Sequence, residues 1–255
     1  PSTPVVAVGG ADSSVLRAIS EAANRGWVRP IVAGVARDIE TEAVSSNVDL
    51  TPFRVIDTAE PAIAAVQEVH EGRAQLLMKG QVPTPELMRG ILNNKTGLRI
   101  GMTICQVVLM EIPRDDRCFL MSDTGITIEP TLEQLNDIVE SIIDVALSLG
   151  VTHPRIAIMA ATEKENQSMP ETLLAAQLIA LRGESDRHVI EGPVSFDLAY
   201  SEDAVRRKNI SGKTAATTDA MVFPNLLSAN LTVKAMMYSA DCKFGGILCG
   251  TLVPV

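Results

Sequence analysis

The chain has 255 residues and a formal net charge of -9 at pH 7; 46% of its residues are apolar but only 3% are aromatic. This length allows one large domain or two of moderate size, with a core built mainly from Val, Ile, Leu, Ala and Met. The acidic balance argues against a general nucleic-acid or membrane-surface binder, and no apolar run approaches the roughly 20 residues that span a bilayer.

The cysteines and histidines give no sign of a disulfide framework or a metal site. The four cysteines form no CxxC pair, and the three histidines are far apart in the sequence. Scattered cysteines favour reduced thiols in a cytosol over structural bridges or zinc. The N-terminus lacks a signal-peptide pattern. We therefore expect a soluble, cytoplasmic protein without a metal centre.

The first hundred residues alternate short apolar runs with amphipathic stretches. Asp12 or Ser13 is a candidate N-cap for a helix that ends at Gly26. Continuous apolar strands alternating with helices indicate a parallel sheet covered on both faces. The predicted strands are 5–10, 31–35, 53–57 and 75–80, and the clearest helix between them is 61–72.

The pattern changes near residue 100. Two β-rich runs, 103–113 and 117–123, are separated by a charged turn and can pair as a hairpin. A long amphipathic helix over 131–150 follows, ending at a glycine. The pattern of short strands followed by turns resumes at 155–161, 188–193, 219–225 and 245–250. The last of these runs is predicted to be a buried strand. We predict an α/β protein of two domains, each a mostly parallel sheet flanked by helices.

Two phosphate-binding signals fail when their context is considered. The run SGKT at 211–214 ends like a P-loop, but Arg207 stands where that pattern needs glycine, and no strand precedes it. Gly9 and Gly10 follow a strand, yet the later glycines of a dinucleotide fingerprint are absent. A tight turn without a ligand is the better interpretation there.

The segment 73–99 reverses the sign of charge in this acidic chain. Its five basic residues face a single acid, Glu86. Lys79 and Gly80 end a predicted strand, and ligands of parallel sheets gather at the carboxyl ends of strands. Thr84 can cap the next helix, whose N-terminal N–H groups and dipole favour an anion. The residues alone leave two alternatives open, an anion site or solvated surface charge.

Six blocks of sequence, in order, carry a resemblance to a known family. The chain resembles the phosphate acetyltransferase/phosphate butyryltransferase family, and its sequence is most similar to the butyryl or branched-chain branch. The matching blocks are MKGQVPTPELMRGIL, FLMSDTGITIEP, IAIMAATEKENQSMPET, EGPVSFDLAYSEDAVRRK, TTDAMVFPNLLSANLTVK and GGILCGTLVPV.

The resemblance implies a fold and a reaction. It implies a two-domain α/β homodimer with the active site in the interdomain cleft, and we expect a first domain of 1–100 plus 237–255 and a second of 101–236. The implied reaction is reversible transfer of an acetyl or butyryl-like group between coenzyme A and inorganic phosphate. Coenzyme A is then a substrate, no cofactor is bound permanently, and no metal takes part.

The resemblance also places site residues. Arg89, Thr84 and Lys79 fall where the family has its phosphate-binding arginine, a hydroxyl residue and a lysine-glycine turn, and we predict them as the catalytic set. The predicted substrate-binding residues are Gly80, Asp123, Asn225, Asn230 and Lys234. Two structural alternatives stay open: Asp123 can cap a turn, and Asn230 can satisfy buried backbone.

Several positions depart from the family pattern. Cys105 and Gln106 replace a Ser-His pair, Thr127 replaces Asn, and Ala229 replaces Gly. The family continues after its VPV segment into a Ser-Arg pair and an aspartate, whereas this sequence reaches Val255 at that point. One expectation is that the catalytic set continues beyond Val255. The alternative is a non-catalytic coenzyme A or acyl-phosphate binding protein that lacks part of the machinery.

A third interpretation is a metal-dependent decarboxylating dehydrogenase of related two-domain shape. That class requires a cluster of aspartates at metal-ligand spacing, and no such cluster is evident in the sequence.

Overall fold

The computed structural model describes residues 2–210 and 212–255, and it divides the chain into two units. Unit 1 is Pro1–Gly101 with Thr251–Val255, and unit 2 is Met102–Gly250. Unit 2 is thus inserted into unit 1, and the chain passes between the units twice.

Unit 1 is a parallel sheet with helices. Its four strands lie in the order β3-β2-β1-β4, and every pairing is parallel. The elements are β1 (Thr3–Val8), α1 (Ser13–Asn24), β2 (Val28–Gly34), α2 (Ala36–Ser46), β3 (Arg54–Asp57), α3 (Pro61–His70), β4 (Leu76–Lys79) and α4 (Thr84–Ile91).

The side chains of β1 alternate between the two faces of the unit 1 sheet and are buried on both. Val5 and Ala7 pack with Leu16 of α1 and Ile39 of α2. Val6 and the other alternate residues of β1 are equally buried, and α3 contacts β1 and β2. A strand buried on both faces reads as a continuous apolar run, which is why the sequence identified it.

Glu68 of α3 is a buried acid held by two arginines. Its side chain is 7% exposed and pairs with Arg54 and with Arg73, whose Nη2 lies 2.8 Å from Oε1. Arg73 also donates from Nε to Oε2 at 3.0 Å. Both arginines are about half-exposed, so the two cations reach the acid from the solvent side.

Unit 2 is a larger mixed sheet in the order β10-β5-β6-β9-β7-β8. The four strands from β6 to β8 in this order are parallel, while β5 pairs antiparallel with β6 and with β10. The elements are β5 (Cys105–Ile112), β6 (Arg117–Ser122), α5 (Leu132–Ser148), β7 (Arg155–Met159), α6 (Pro170–Arg182), β8 (Val189–Val194), α7 (Phe196–Tyr200), α8 (Glu202–Lys208), β9 (Ala220–Val222), α9 (Leu226–Ser239) and β10 (Lys243–Cys249).

Helices cover both faces of the unit 2 sheet. One face packs against α5 and α6, and the other against α7 and α9. The helix α5 begins with a capping box, in which Thr131 accepts from Gln134 N and the Gln134 side chain accepts from Thr131 N. The two-domain α/β class and the hairpin over β5 and β6 are confirmed. In the described residues, no helix combines the length and apolar character needed to cross a membrane.

The C-terminal part of the predicted domain division needs correction. We assigned 237–255 to the first domain, but β10 pairs with β5 and only Thr251–Val255 returns to unit 1. The run GGILCG was also predicted as buried. It belongs to a strand at the sheet edge, where Lys243–Gly246 are exposed and the last three residues half-buried. An apolar run does not distinguish an edge strand from a central one.

Tyr200 closes a polar contact at the end of α7. Its hydroxyl donates to Asp115 Oδ2 at 2.5 Å, and the Arg117 guanidinium lies over its ring, 5.0 Å from the centroid. Burial, and then the hydrogen bond to Asp115, raise the pKa of Tyr200 to about 12.

This shift makes stability depend on pH in the alkaline range. Because the folded pKa of Tyr200 lies above its ordinary value near 10, its contribution is complete below about pH 10 and is lost as the pH rises towards 12. Tyr200→Phe should remove this loss, measured by urea unfolding between about pH 9 and 11. Tyr238→Phe, at an exposed tyrosine, is the control and should keep it. Equal pH dependence in wild type and Tyr200→Phe would contradict the assignment.

Candidate functional site

The Lys79–Gly80 corner lies at the carboxyl ends of two neighbouring parallel strands. Lys79 pairs in register with Val8. Gly80 N donates to Val8 O at 2.8 Å, and Gln81 N donates to Gly9 O at 2.9 Å. Backbone hydrogen bonds therefore join the turns after β1 and β4. Both turns lie at the carboxyl ends of their strands, as the sequence predicted.

Backbone packing explains the glycine at position 80. A Cβ on Gly80 would lie 2.5 Å from Val8 O and 2.6 Å from Gly9 O. Gly9 has φ +74°, and a Cβ there would lie 2.7 Å from Gln81 O. We predicted Gly80 as a substrate-binding residue; in the structure, its lack of a side chain allows close approach of the β1 turn.

The N-terminus of α1 is capped by the carboxylate of Asp12. Asp12 Oδ1 accepts from Ser14 N at 2.9 Å and Val15 N at 3.0 Å, and Gln81 Nε2 donates to Oδ2 at 3.1 Å. The Ser14 hydroxyl and the Val15 N–H hold the pKa of Asp12 below its usual value. This supports the interpretation of Gly9-Gly10 as a turn without a ligand.

Lys79 and Thr84 are both exposed beside this corner. Lys79 Nζ donates to Gly80 O at 3.3 Å, and it has no ion-pair partner in residues 2–210 and 212–255. Thr84 is the first residue of α4, and Pro83 holds the N-cap position without a side-chain hydrogen bond. Our expectation that Thr84 caps the helix is therefore wrong.

The N-terminus of α4 offers fewer donors than we expected. Pro83 and Pro85 have no N–H, and the N–H groups of Glu86 and Leu87 both donate to Pro83 O, at 2.9 and 3.2 Å. In the described chain this leaves the Thr84 N–H as the unengaged donor of the first turn. An anion here would meet one backbone N–H and the Lys79 ammonium.

Arg89 is exposed on a different side of α4. Five residues after Thr84, it is rotated by roughly 140° around the helix. It lines a groove of about 820 Å³ between α3 and α4, together with apolar residues such as Ile63 and Val66 and with Lys95. Neither Lys79 nor Thr84 lines that groove. The structure thus separates the predicted catalytic set into a corner and a groove.

The lining of the groove includes side chains of both charges. Cationic Arg89 and Lys95 share it with Glu60, Glu71 and Glu86. Glu71 pairs with Arg73 outside the groove lining, while Arg89 and Lys95 make no ion pair within the described residues. Arg89 and Lys95 are thus available to an anion, although Glu60 and Glu86, which also lack an ion pair in the described residues, line the same groove.

In unit 2, Asp123 organises the loop that follows β6. The side chain is buried, and Oδ1 accepts from the N–H groups of Gln106, Gly125 and Ile126 at 2.9–3.2 Å. Oδ2 accepts from Thr127 N at 2.7 Å. These bonds are those of a carboxylate that caps a turn, which was the structural alternative for this residue.

The first turns of α9 are joined to the same loop. Asn225 is the N-cap and accepts from Ser228 N at 2.9 Å, and Asn230 Nδ2 donates to Thr124 O at 3.1 Å. Lys234 lies one turn beyond Asn230 on the same helix face, and it is exposed and unpaired in the described residues. Asn225 and Asn230 thus serve the backbone, while Lys234 is left available.

A polar cluster to which no role was predicted lies beyond the carboxyl ends of β7 and β8. Ser195 follows β8 and is buried, and its hydroxyl contacts Glu163 after β7 and lies 2.7 Å from Asp197 Oδ1. Lys208 Nζ of α8 donates to Ser195 Oγ at 3.2 Å and pairs with Asp197 at 3.0 Å. Burial alone would raise the pKa of Glu163, but Ser195 and Lys208 lower it.

The signal for this cluster was present in the sequence. Its members lie in two of the blocks that carried the resemblance, TEKENQ and VSFDLAYSEDAVRRK. The carboxyl ends of β6, β7, β8 and β9 share one edge of the sheet, because these strands are parallel. The order of the strands was not predicted from the sequence, and this order places the cluster at the same sheet edge as Asp123.

The rejected P-loop motif has a structural explanation. Thr214 N and Oγ1 donate to Glu191 Oε2 at 2.7 and 2.9 Å, so an acid of this chain already engages both donors. Ser211 lies outside the described residues. Among the described residues, no group of three or more His, Cys, Asp or Glu side chains is placed to hold a metal ion.

Comparison with known proteins gives consistent matches. A family model described as "Phosphate acetyl/butaryl transferase" matches residues 58–255. A phosphate butyryltransferase from Clostridium acetobutylicum is 35% identical over 96% of this chain and 83% of its own length. A phosphate acetyltransferase from Rhizobium meliloti is 34% identical over 96% of this chain and 79% of its own.

One solved structure extends the similarity to the fold. The crystal structure of a branched-chain phosphotransacylase from Enterococcus faecalis V583 superposes with a TM-score of 0.87 at 29% identity. It covers 99% of this chain, and this chain covers 90% of it.

Proposed function

Because the chain belongs to the phosphate acetyl/butaryl transferase family, we propose that it transfers a short-chain acyl group reversibly between coenzyme A and inorganic phosphate. The observation that carries this proposal is the match of the family over residues 58–255, supported by relatives named as butyryl and acetyl transferases. The acyl group is acetyl or butyryl-like.

The reaction requires positioning and charge more than covalent chemistry. The thiol of coenzyme A loses its proton, the thiolate attacks the acyl carbon of the acyl phosphate, and phosphate leaves with the electron pair of the broken bond. Holding both substrates together removes the entropic cost of their encounter. Fixed cations and N–H donors stabilise the charge that develops on the oxygens.

The cations of the 73–99 segment are the proposed phosphate ligands. Arg73 is excluded, because Glu68 and Glu71 engage it. Arg89 and Lys79 carry no ion pair in the described chain, so neither needs to break an ion pair to bind an anion. We assign Arg89 in its groove, and Lys79 with the Thr84 N–H at the corner, to the phosphoryl group or to phosphates of coenzyme A.

The unit 2 residues divide into two roles in this proposal. Lys234 is available to bind substrate directly. Asp123, Asn225 and Asn230 act as positioning residues, since their polar atoms hold the 124–127 loop and the start of α9. Gly80 contributes by allowing the β1 and β4 turns to pack.

We extend the proposal to the setting of the enzyme. Coenzyme A is a substrate and no cofactor is bound permanently. The enzyme works in the cytoplasm, which its free cysteines support, and it forms a homodimer, which rests on the family resemblance. Sedimentation equilibrium distinguishes a dimer from a monomer.

Arg89→Ala tests both the activity and the assignment. The wild-type protein should release free coenzyme A thiol from acetyl- or butyryl-coenzyme A when phosphate is added. The variant should show a KM for phosphate that is higher, or a kcat that is lower, by about tenfold or more, equivalent to about 1.4 kcal/mol. The measurement is a thiol-release assay at varied phosphate.

The matched control is Arg37→Ala, an exposed arginine of α2 in the same unit, and its kinetics should equal those of the wild type. Unchanged phosphate kinetics in folded Arg89→Ala would contradict the residue assignment alone. Ligand-induced stabilisation without thiol release by the wild type would instead contradict the transferase activity and favour the binding-protein alternative.

A further inference from the structure

Two cysteines face each other in the edge hairpin of unit 2. Cys105 begins β5, Cys249 ends β10, and the two residues are directly paired in the antiparallel register. Directly opposed residues of an antiparallel pair have Cβ atoms about 4.5–5.5 Å apart. Both side chains point to the sheet face that packs against α5. The two side chains are therefore neighbours on this face, where Cys249 packs against the hydrophobic cluster that contains Cys105.

The two thiols differ in exposure and in acidity. Cys105 is fully buried, whereas Cys249 is partly exposed. The neighbouring Cys105 thiol lowers the pKa of Cys249, while the proximity of Cys249, together with burial, raises the pKa of Cys105. Burial disfavours a thiolate at Cys105, so the partly exposed Cys249 is the sulfur that more readily ionises and meets an oxidant.

This arrangement resembles a reactive thiol next to a resolving thiol. The other two cysteines lack it: Cys118 is exposed with a raised pKa caused by burial and by Glu111, and Cys242 is not paired with a cysteine in the strand register. We propose that Cys105 and Cys249 form a peroxide-sensitive site that closes to a disulfide.

The chemistry balances with a hydroperoxide as the oxidant. The Cys249 thiolate attacks the peroxide, the O–O bond breaks, and a sulfenic acid and an alcohol or water result. The Cys105 sulfur then attacks the sulfenic sulfur, the S–O bond breaks, and water leaves with the Cys105 proton. Two thiols are oxidised by two electrons, and one hydroperoxide is reduced.

The disulfide would close a ring around nearly the whole of unit 2. Cys105 lies three residues after Met102, where unit 2 begins, and Cys249 immediately precedes Gly250, where it ends. A covalent bond across so long a segment restricts the unfolded chain strongly. Oxidation should therefore raise the urea midpoint for unfolding of unit 2.

The experiment uses full-length Cys118→Ser/Cys242→Ser, in which the proposed pair remains. After treatment with hydrogen peroxide and quenching, thiols are counted in denaturant and the peptides mapped without reduction. The expected result is loss of both thiols, with a cross-linked peptide pair lighter by two hydrogen atoms. Dithiothreitol should restore both thiols and return the urea midpoint to its reduced value.

Single replacements separate the two roles. With Cys105→Ser added, Cys249 should accumulate as a sulfenic acid that dimedone labels. With Cys249→Ser added, Cys105 should stay reduced while the protein is folded, as judged by circular dichroism. Retention of both thiols, or conversion of Cys249 to sulfinic acid while Cys105 stays free, would overturn the proposal. These outcomes do not depend on the transferase activity.

Discussion

Replacing Arg54 and Arg73 together with methionine is expected to lower the free energy of unfolding by about 3 kcal/mol. The reason is that the buried carboxyl of Glu68, 7% exposed, would lose both of its ion-pair partners in unit 1. The cost is placed at the lower end of the range for broken buried pairs, because both arginines are about half-exposed. Urea unfolding followed by circular dichroism measures it.

Two further variants make this test specific to charge. Adding Glu68→Gln to the double variant should recover most of the loss, since a neutral amide of the same shape replaces the unpaired carboxylate. Arg25→Met removes an exposed ion pair with Glu21 and should cost about 1 kcal/mol or less. If Glu68→Gln made the double variant less stable, the loss would come from packing of the arginine stems instead.

Gly80→Ala is expected to destabilise unit 1 by about 3 kcal/mol, at the upper end of overpacking effects. The added Cβ would lie 2.5 and 2.6 Å from two backbone oxygens, which cannot rotate away as a side chain does. The turn must then move, and Lys79 moves with it. We therefore expect a lower urea midpoint together with a higher KM for phosphate.

Gly90→Ala in α4 is the matched control. A Cβ there would lie 3.5 Å from Ala62 O, an ordinary contact, and alanine is favoured over glycine in a helix by up to about 1 kcal/mol. This variant should be as stable as the wild type or more so. A Gly80→Ala protein with wild-type stability would show that the β1 and β4 turns are not packed as described.

The fold could be predicted because its strands are buried runs. The apolar segments at 5–10, 31–35 and 155–161 correspond to β1, β2 and β7 to within a few residues. The edge position of β10 could not be predicted, since a run such as GGILCG has the same composition at the edge of a sheet as in its centre. Its pairing with β5 is a contact between distant parts of the sequence.

Residue types and motifs suggested the members of the candidate site, but its geometry could not be predicted from the sequence. Lys79, Arg89 and Lys234 are exposed in the structure, while the phase of α4 places Arg89 away from Thr84. The N–H donors to Asp123 come from Gln106 and the residues after it, and no local pattern reveals such convergence. Catalytic roles and an active site between the two domains stay predictions.

The insertion of unit 2 into unit 1 has a consequence for biosynthesis. Unit 1 is complete only when the segment after Gly250 has been made, because Pro254 O accepts from Leu77 N at 3.0 Å and Leu252 N donates to Leu98 O at 2.8 Å. On the ribosome, the whole of unit 2 emerges before these bonds can form. Once β5 and β10 pair, the two ends of unit 2 are held together. A nascent chain that folds its insert first therefore closes unit 1 across a short gap, with little loop entropy left to lose.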